Sequence, residues 1–191
     1  MKTETTSARL PIARHAVKGT CPVCAAVKHF QDSLPGHLPA EGRTQFCNFH
    51  AWLLAKSASA ELAASLFLNA LRVKERGTIS ASPSACSACE KIHGEEVTRL
   101  EEVTRELEQN SLTGVWLQRH ARFCLRHMRE LKKRAPAPLR KTVAELGTRN
   151  AAELEVELQE FLKQARQGDH AGGGVLGRAA EFLVAQRGIL D

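Results

Sequence analysis

The sequence predicts an all-α protein, and three observations support this. No stretch of useful length alternates apolar and polar residues as a half-buried strand requires. Apolar residues recur instead at helical spacing, as in Ala63, Leu66, Phe67, Ala70 and Leu71, and again in Leu154, Leu158, Phe161, Leu162 and Ala165. All 6 cysteines fall into one pattern that occurs twice. Cys21-Pro22-Val23-Cys24 is followed by Phe46-Cys47-Asn48-Phe49-His50, and Cys86-Ser87-Ala88-Cys89 by Phe123-Cys124-Leu125-Arg126-His127. Each half therefore supplies three Cys and one His. The expected architecture is two quasi-repeated helical halves, 15–77 and 84–135, each clipped by a Cys3His metal site. Amphipathic C-terminal helices over 137–191 pack on them.

Composition sets the need for such clips. The chain has 191 residues, enough for one domain or two small ones. Its hydrophobic fraction of 43% is that of a folded protein, yet only 5% is aromatic and Tyr is absent. The core must be Leu, Ala and Val, and a metal site adds stability that thin helical cores lack. No apolar run approaches the roughly 20 residues of a membrane span, and residues 1–14 contain no apolar signal segment. A cytoplasmic location is expected, where paired Cys-x-x-Cys thiols serve as metal ligands or redox groups rather than as structural disulfides.

In chain order, Gly19-Thr20-Cys21-Pro22 reads as a helix start, with Pro22 in the first turn where its missing N–H costs nothing. That helix is expected to reach Ser33, where Leu34-Pro35-Gly36-His37-Leu38-Pro39 breaks it. A second helix is placed from Gln45, with Cys47 and His50 on one face, and a third over Ala60–Lys74. Gly77–Ser84 reads as the linker between the halves. A long helix over Ala88–Glu108 is expected to point Val97, Leu100 and Leu107 inward and to expose the pairs Glu95–Arg99 and Glu101–Arg105. One continuous helix is then expected over Leu112–Arg134, with Leu117, Ala121, Cys124, Met128 and Leu131 on its apolar stripe. A short helix would stop at Gly147, and Asn150 with Glu153 would cap the next, which Gly168 ends. A last helix, Val175–Arg187, would bury Leu176, Ala179, Ala180 and Leu183.

The cysteine spacing has a chemical logic. A Cys-x-x-Cys turn entering a helix aims two sulfurs at one point, and a Cys-x-x-His supplies two further donors from a second helix. The helix N-terminus favours thiolate, the form that binds metal. Reducible dithiols or packing cysteines would not explain a His at the same offset twice. Two zinc ions are the expected cofactors, with an iron–sulfur cluster as the alternative that the same ligand types allow. His93, four residues past Cys89, has no counterpart in the first half, where Lys28 stands, and reads as a polar residue outside the set. Closure within each half spans 22 and 34 intervening residues, whereas Cys24 meeting Cys124 spans 99. The longer closure costs only about 1.3 kcal/mol more than the shortest. Local pairing, Cys21/Cys24/Cys47/His50 and Cys86/Cys89/Cys124/His127, is the expectation, with the crossed pairing open.

The segments Cys21–Cys24, Phe46–Trp52, Cys86–Cys89, Cys124–His127 and Ala179–Leu190 resemble an uncharacterised bacterial family, the domain of unknown function numbered 6062. Its members carry a CPxC, an FCxxHxW-like segment, and a second CxxC with a later CxxH. Ser87 and Arg126 depart from its pattern, at positions where it often has Pro. The resemblance implies helices and two metal sites, and brings no reaction with it.

The formal net charge is +6, and the only strong charge block is 119–141, with nine basic residues and one acid, Glu130. Within it Arg119, Arg122, Arg126, Arg129 and Lys133 follow helical spacing and form a candidate phosphate-binding stripe for nucleic acid. The competing reading is a solvated face that also neutralises the acidic helix at Glu90–Glu108, favoured because no aromatic readout residues interleave the charges. Trp52 and Trp116 are expected to pack beside the metal motifs. No Gly-rich phosphate loop, nucleophile elbow or carboxylate pair next to a metal pattern is present, and both ligand sets are full. The sequence thus favours an interaction protein with an unknown protein partner over an enzyme, with no membrane role. Iron–sulfur or redox-sensing and nucleic-acid binding are the alternative functions.

Overall fold

The computed structural model describes residues 11–38, 45–75, 86–167 and 174–185. Among them are eight α-helices and no strand. These are α1 (Pro22–Asp32), α2 (Asn48–Ser57), α3 (Ala60–Glu75), α4 (Ser87–Glu108), α5 (Leu112–His120), α6 (Leu125–Arg134), α7 (Arg140–Arg166) and α8 (Gly174–Val184). The expected linker Gly77–Ser84 and Gly168 lie outside the described residues, while the last helix, expected to reach Arg187, ends at Val184, with Ala185 at φ +68°.

The chain divides into two compact units, one made of residues 1–26 with 98–191 and the other of the intervening 27–97. In the interrupted unit, α6, α7 and α8 pack on one another. Leu154, Val175, Ala179 and Phe182 form an apolar cluster there, joined by Leu125, Leu158 and Phe161. Glu102 on α4 fastens the short 3-10 turn Ile12–His15: its carboxylate accepts the Ile12 N–H at 2.7 Å and the Arg99 guanidinium at 2.7 Å. The inserted unit has its own core of Leu34, Leu38, Leu54, Leu66, Cys86 and Ala88, lined by Phe30, Phe46, Leu62, Phe67 and Ile92. Phe46 meets Phe67 edge-on, with ring centroids 6.3 Å apart. Each unit thus has its own apolar core, in which phenylalanines join the Leu, Ala and Val expected from composition.

Several boundaries differ from the sequence reading, for physical reasons. The expected helix over Leu112–Arg134 is two helices, because residues 121–124 are extended and Cys124 caps α6 by accepting the His127 N–H. Cys47 likewise precedes α2, with φ −69° and ψ 164°, close to the −68° and 160° of Cys124. Conversely, α7 runs unbroken through Gly147 and Asn150. A Cβ at Gly147 would lie 3.2 Å from Met128 Cγ, so this glycine permits the close approach of α6 instead of ending a helix. Asn150 is fully buried and caps nothing. Glu95 and Arg99, expected at the surface, are both buried. On α8 the inward residues are Val175, Ala179 and Phe182, while Leu176, Ala180 and Leu183 face out. Leu162 is also exposed.

Candidate metal centres

All eight sequence-selected Cys and His residues gather into two groups that can each hold a metal ion, and the grouping is crossed. Cys21 and Cys24 meet Cys124 and His127, and Cys47 and His50 meet Cys86 and Cys89. The expected closure within each half is therefore corrected. Each crossed set lies within one unit, the outer set in the interrupted unit and the inner set in the inserted one.

Local backbone pairing explains the crossing. At the outer centre the Gly19 N–H donates to His120 O at 3.0 Å and the Arg122 N–H to Thr20 O at 3.1 Å. These two bonds lay the approach to Cys21 beside the approach to Cys124. Gly19, at φ +76°, makes the turn that allows it. At the inner centre the Ser87 N–H donates to Gln45 O at 2.9 Å. Pro22 stands where Ser87 does, directly after the first cysteine, and has no N–H to give, so the outer pairing is displaced by one peptide. Such bonds fix geometry at each centre, whereas the loop-closure difference of about 1 kcal/mol between pairings is too small to override them.

The donor distances lie near the edges of a tetrahedron around one ion, with the sulfur–nitrogen distances on the short side. Metal–sulfur bonds of about 2.3 Å and metal–nitrogen bonds of about 2.0–2.1 Å, at tetrahedral angles, give sulfur–sulfur edges of about 3.8 Å and sulfur–nitrogen edges of about 3.6 Å. The outer centre has Cys24 Sγ 3.7 Å from Cys124 Sγ. His127 Nδ1 there lies 3.3 Å from Cys21 Sγ, 3.3 Å from Cys24 Sγ and 3.2 Å from Cys124 Sγ. The inner centre has Cys47 Sγ 3.8 Å from Cys89 Sγ. His50 Nδ1 lies 3.2, 3.6 and 3.3 Å from the sulfurs of Cys47, Cys86 and Cys89. All six cysteines are free of disulfide bonds. Both histidines present Nδ1 to the sulfurs. Backbone amides also reach the sulfurs, His127 N–H to Cys124 Sγ and Cys89 N–H to Cys86 Sγ, each at 3.5 Å.

Packing three sulfurs together sets their protonation. At the outer centre burial, reinforced by Cys124 and Cys24, pushes the Cys21 thiol well up. Cys124 is driven far down by hydrogen bonds from Cys21 and Cys24, helped by His127. At the inner centre burial pushes Cys86 up, but hydrogen bonds from His50 and the Cys47 and Cys89 amides outweigh it and bring Cys86 to about 6. Burial together with Cys86 pushes Cys89 to about 12. Each centre thus holds one favoured thiolate and at least one thiol that resists ionisation. A divalent ion can replace the protons that otherwise keep the sulfurs from repelling one another.

The outer centre has supporting residues that the sequence reading missed. With its amide oxygen turned toward Phe123, Asn150 accepts the Phe123 N–H at 2.9 Å and donates to Leu146 O at 3.2 Å. It thereby holds the extended peptide directly before Cys124. Arg122, from the same segment, donates to Glu157 at 2.8 Å and 3.4 Å and pairs with Glu153 at 3.5 Å. Glu157 also accepts from Arg178 on α8 at 2.9 Å. The Arg122 hydrogen bond holds the Glu157 carboxyl below its ordinary value, with Arg178 adding to the effect. The only sequence signals were a buried Asn misread as a cap and an Arg read as part of a surface stripe.

The five residues of that stripe do not share one continuous helix. The break at 121–124 separates Arg119 from the helix that carries Arg126, Arg129 and Lys133, and Arg122 is buried against α7 carboxylates. Lys133 pairs with Glu130 at 2.6 Å. Trp52, expected to pack beside the inner centre, is 64% exposed on α2, while Trp116 is partly buried against His120. His93 is 72% exposed and faces Glu96 at 3.6 Å, outside the ligand set. No helix among the described residues is long and apolar enough to cross a membrane. No protein-family model, curated protein or solved structure matches this chain.

Proposed function

We propose that this is a non-catalytic helical interaction protein of the cytoplasm, held in shape by two mononuclear zinc ions, with a protein as its partner. The tetrahedral closure of four donors at each centre is the observation that carries this reading. Sulfur–sulfur separations of 3.7 and 3.8 Å suit one shared ion. A [4Fe–4S] cluster binds each ligand to a different corner iron, and a [2Fe–2S] cluster splits them into two pairs on separate irons, so either spreads the four donors wider than the 4.8 Å within which each set lies here. Three thiolates with one imidazole also match the preference of zinc.

With four protein donors each, neither centre leaves a coordination position for a substrate, which favours structural over hydrolytic zinc. The zinc ions would supply folding energy and fix the helix starts that carry the ligands. The resemblance to the family numbered 6062 agrees with two metal sites and is silent on the partner. Elemental analysis and a visible spectrum of anaerobically purified protein test the reading. Two zinc per chain and no visible absorbance are expected; iron with acid-labile sulfide would overturn it.

A further inference from the structure

The two centres have the same donors but unequal shelter. At the outer centre all four residues are buried, with Cys24 at 3%, Cys124 at 1% and His127 at 0% exposure. At the inner centre His50 and Cys86 are buried at 2% each, while Cys47 and Cys89 are partly open to solvent. Those two sulfurs are 3.8 Å apart, on the start of α2 and the first turn of α4. The corresponding outer pair, Cys24 and Cys124, is just as close at 3.7 Å, so proximity does not separate the centres and access does. Closing a disulfide with a peroxide requires both a neighbouring sulfur and an approach path for the oxidant.

We propose that Cys47 and Cys89 form an oxidant-sensitive pair, which a hydroperoxide closes into a disulfide with loss of the inner ion. The release half of this inference rests on the zinc reading above. One sulfur attacks the peroxide, displacing water after one proton is taken up, and becomes a sulfenic acid. The second sulfur attacks that sulfenic sulfur and expels its hydroxyl, which leaves as water with a second proton. Two thiolates, one hydrogen peroxide and two protons thus give one disulfide and two waters, with two electrons passing from sulfur to the peroxide oxygens. His50 and Cys86 remain as donors, too few to retain the ion against water. The outer set stays intact, so one unit would respond to oxidant while the other keeps its clip.

The test uses the whole metal-loaded protein, with metal counted before any treatment. Hydrogen peroxide is added in small equivalents, released zinc is followed with a chromophoric chelator, and disulfides are mapped by mass spectrometry. We expect one zinc per chain to leave at least about tenfold faster than the second. A Cys47–Cys89 bridge should form in step, and dithiothreitol with added zinc should restore the starting state. Equal release of both ions, a first bridge among Cys21, Cys24 and Cys124, or a first bridge between Cys86 and Cys89 would overturn the assignment. Protein that carries no metal at the outset would sink the zinc reading itself. The mapped order of thiol oxidation would then still decide whether Cys47 and Cys89 are the reactive pair.

Discussion

Around Cys124 the donors are sealed and braced; around Cys47 they are half open. The outer centre draws its ligands from a span of 107 residues, the interval from Cys21 to His127, and a buried Asn and a buried Arg hold the peptide that leads into Cys124. The inner centre gathers its ligands from a span of 43 residues, the interval from Cys47 to Cys89, and leaves two of its cysteines partly exposed. The two centres thus differ in shelter and in the length of chain they close, not in ligand identity.

The largest effect should come from removing a ligand at the sealed centre. A structural zinc contributes about 10–16 kcal/mol of apparent binding energy at neutral pH, comparable with or above the whole stability of a domain. Cys124→Ser should cost one zinc per chain and most of the cooperative unfolding of the interrupted unit, read by circular dichroism and elemental analysis. Cys89→Ser should also cost one zinc but lower the melting temperature less. If the two variants melt alike, the contrast between the centres is wrong.

Next in size is the peptide brace. Asn150→Ala leaves the buried Phe123 N–H without an acceptor and should cost about 1–3 kcal/mol in denaturant unfolding. It should also speed zinc loss to a chelator at the outer centre only. Unchanged chelation kinetics would mean that Asn150 serves packing alone.

The ion pair behind Cys124 should matter less. Arg122→Met removes one of the two guanidinium partners of Glu157 and should cost about 1–2 kcal/mol, because Glu157 keeps Arg178, is partly solvated and can recover water. A loss beyond about 4 kcal/mol would show that Arg122 does more than pair with α7.

The smallest effect is a pH dependence. The folded Glu157 carboxyl lies below its ordinary value of 4.5, so the unfolded chain binds its proton more readily. Its stabilising contribution is full above the ordinary carboxylate range and is lost as pH falls through the folded value. The stability difference between wild type and Glu157→Gln should therefore shrink below about pH 4.5. Subtracting the variant removes the acid-driven release of metal common to both proteins. A difference that stays constant with pH would exclude this role.

The ligands were legible in the sequence because their signal is local: three-residue spacing, a Pro or Ser after the first Cys, a Phe before each CxxH. Helical content was legible for the same reason. The pairing of the half-sites was not, because it depends on Gly19, Thr20, His120 and Arg122 meeting across the chain. Helical spacing also continues through 121–124 although the backbone does not, since Leu117, Ala121, Cys124 and Leu131 are all buried on both sides of the break. Periodicity records burial, and here burial comes from an extended segment as well as from helices. Gly147 and Asn150 misled in the opposite sense. Their usual roles at helix ends concealed a close approach by Met128 and a buried amide bridge.

Anomalous diffraction at the zinc edge from crystals of anaerobically purified protein would test the crossed centres most directly. Two isolated peaks are expected, one bonded to Cys21, Cys24, Cys124 and His127 and the other to Cys47, His50, Cys86 and Cys89. Ions that join Cys21 and Cys24 to Cys47 and His50, or no peak within bonding distance of these sulfurs, would contradict the account.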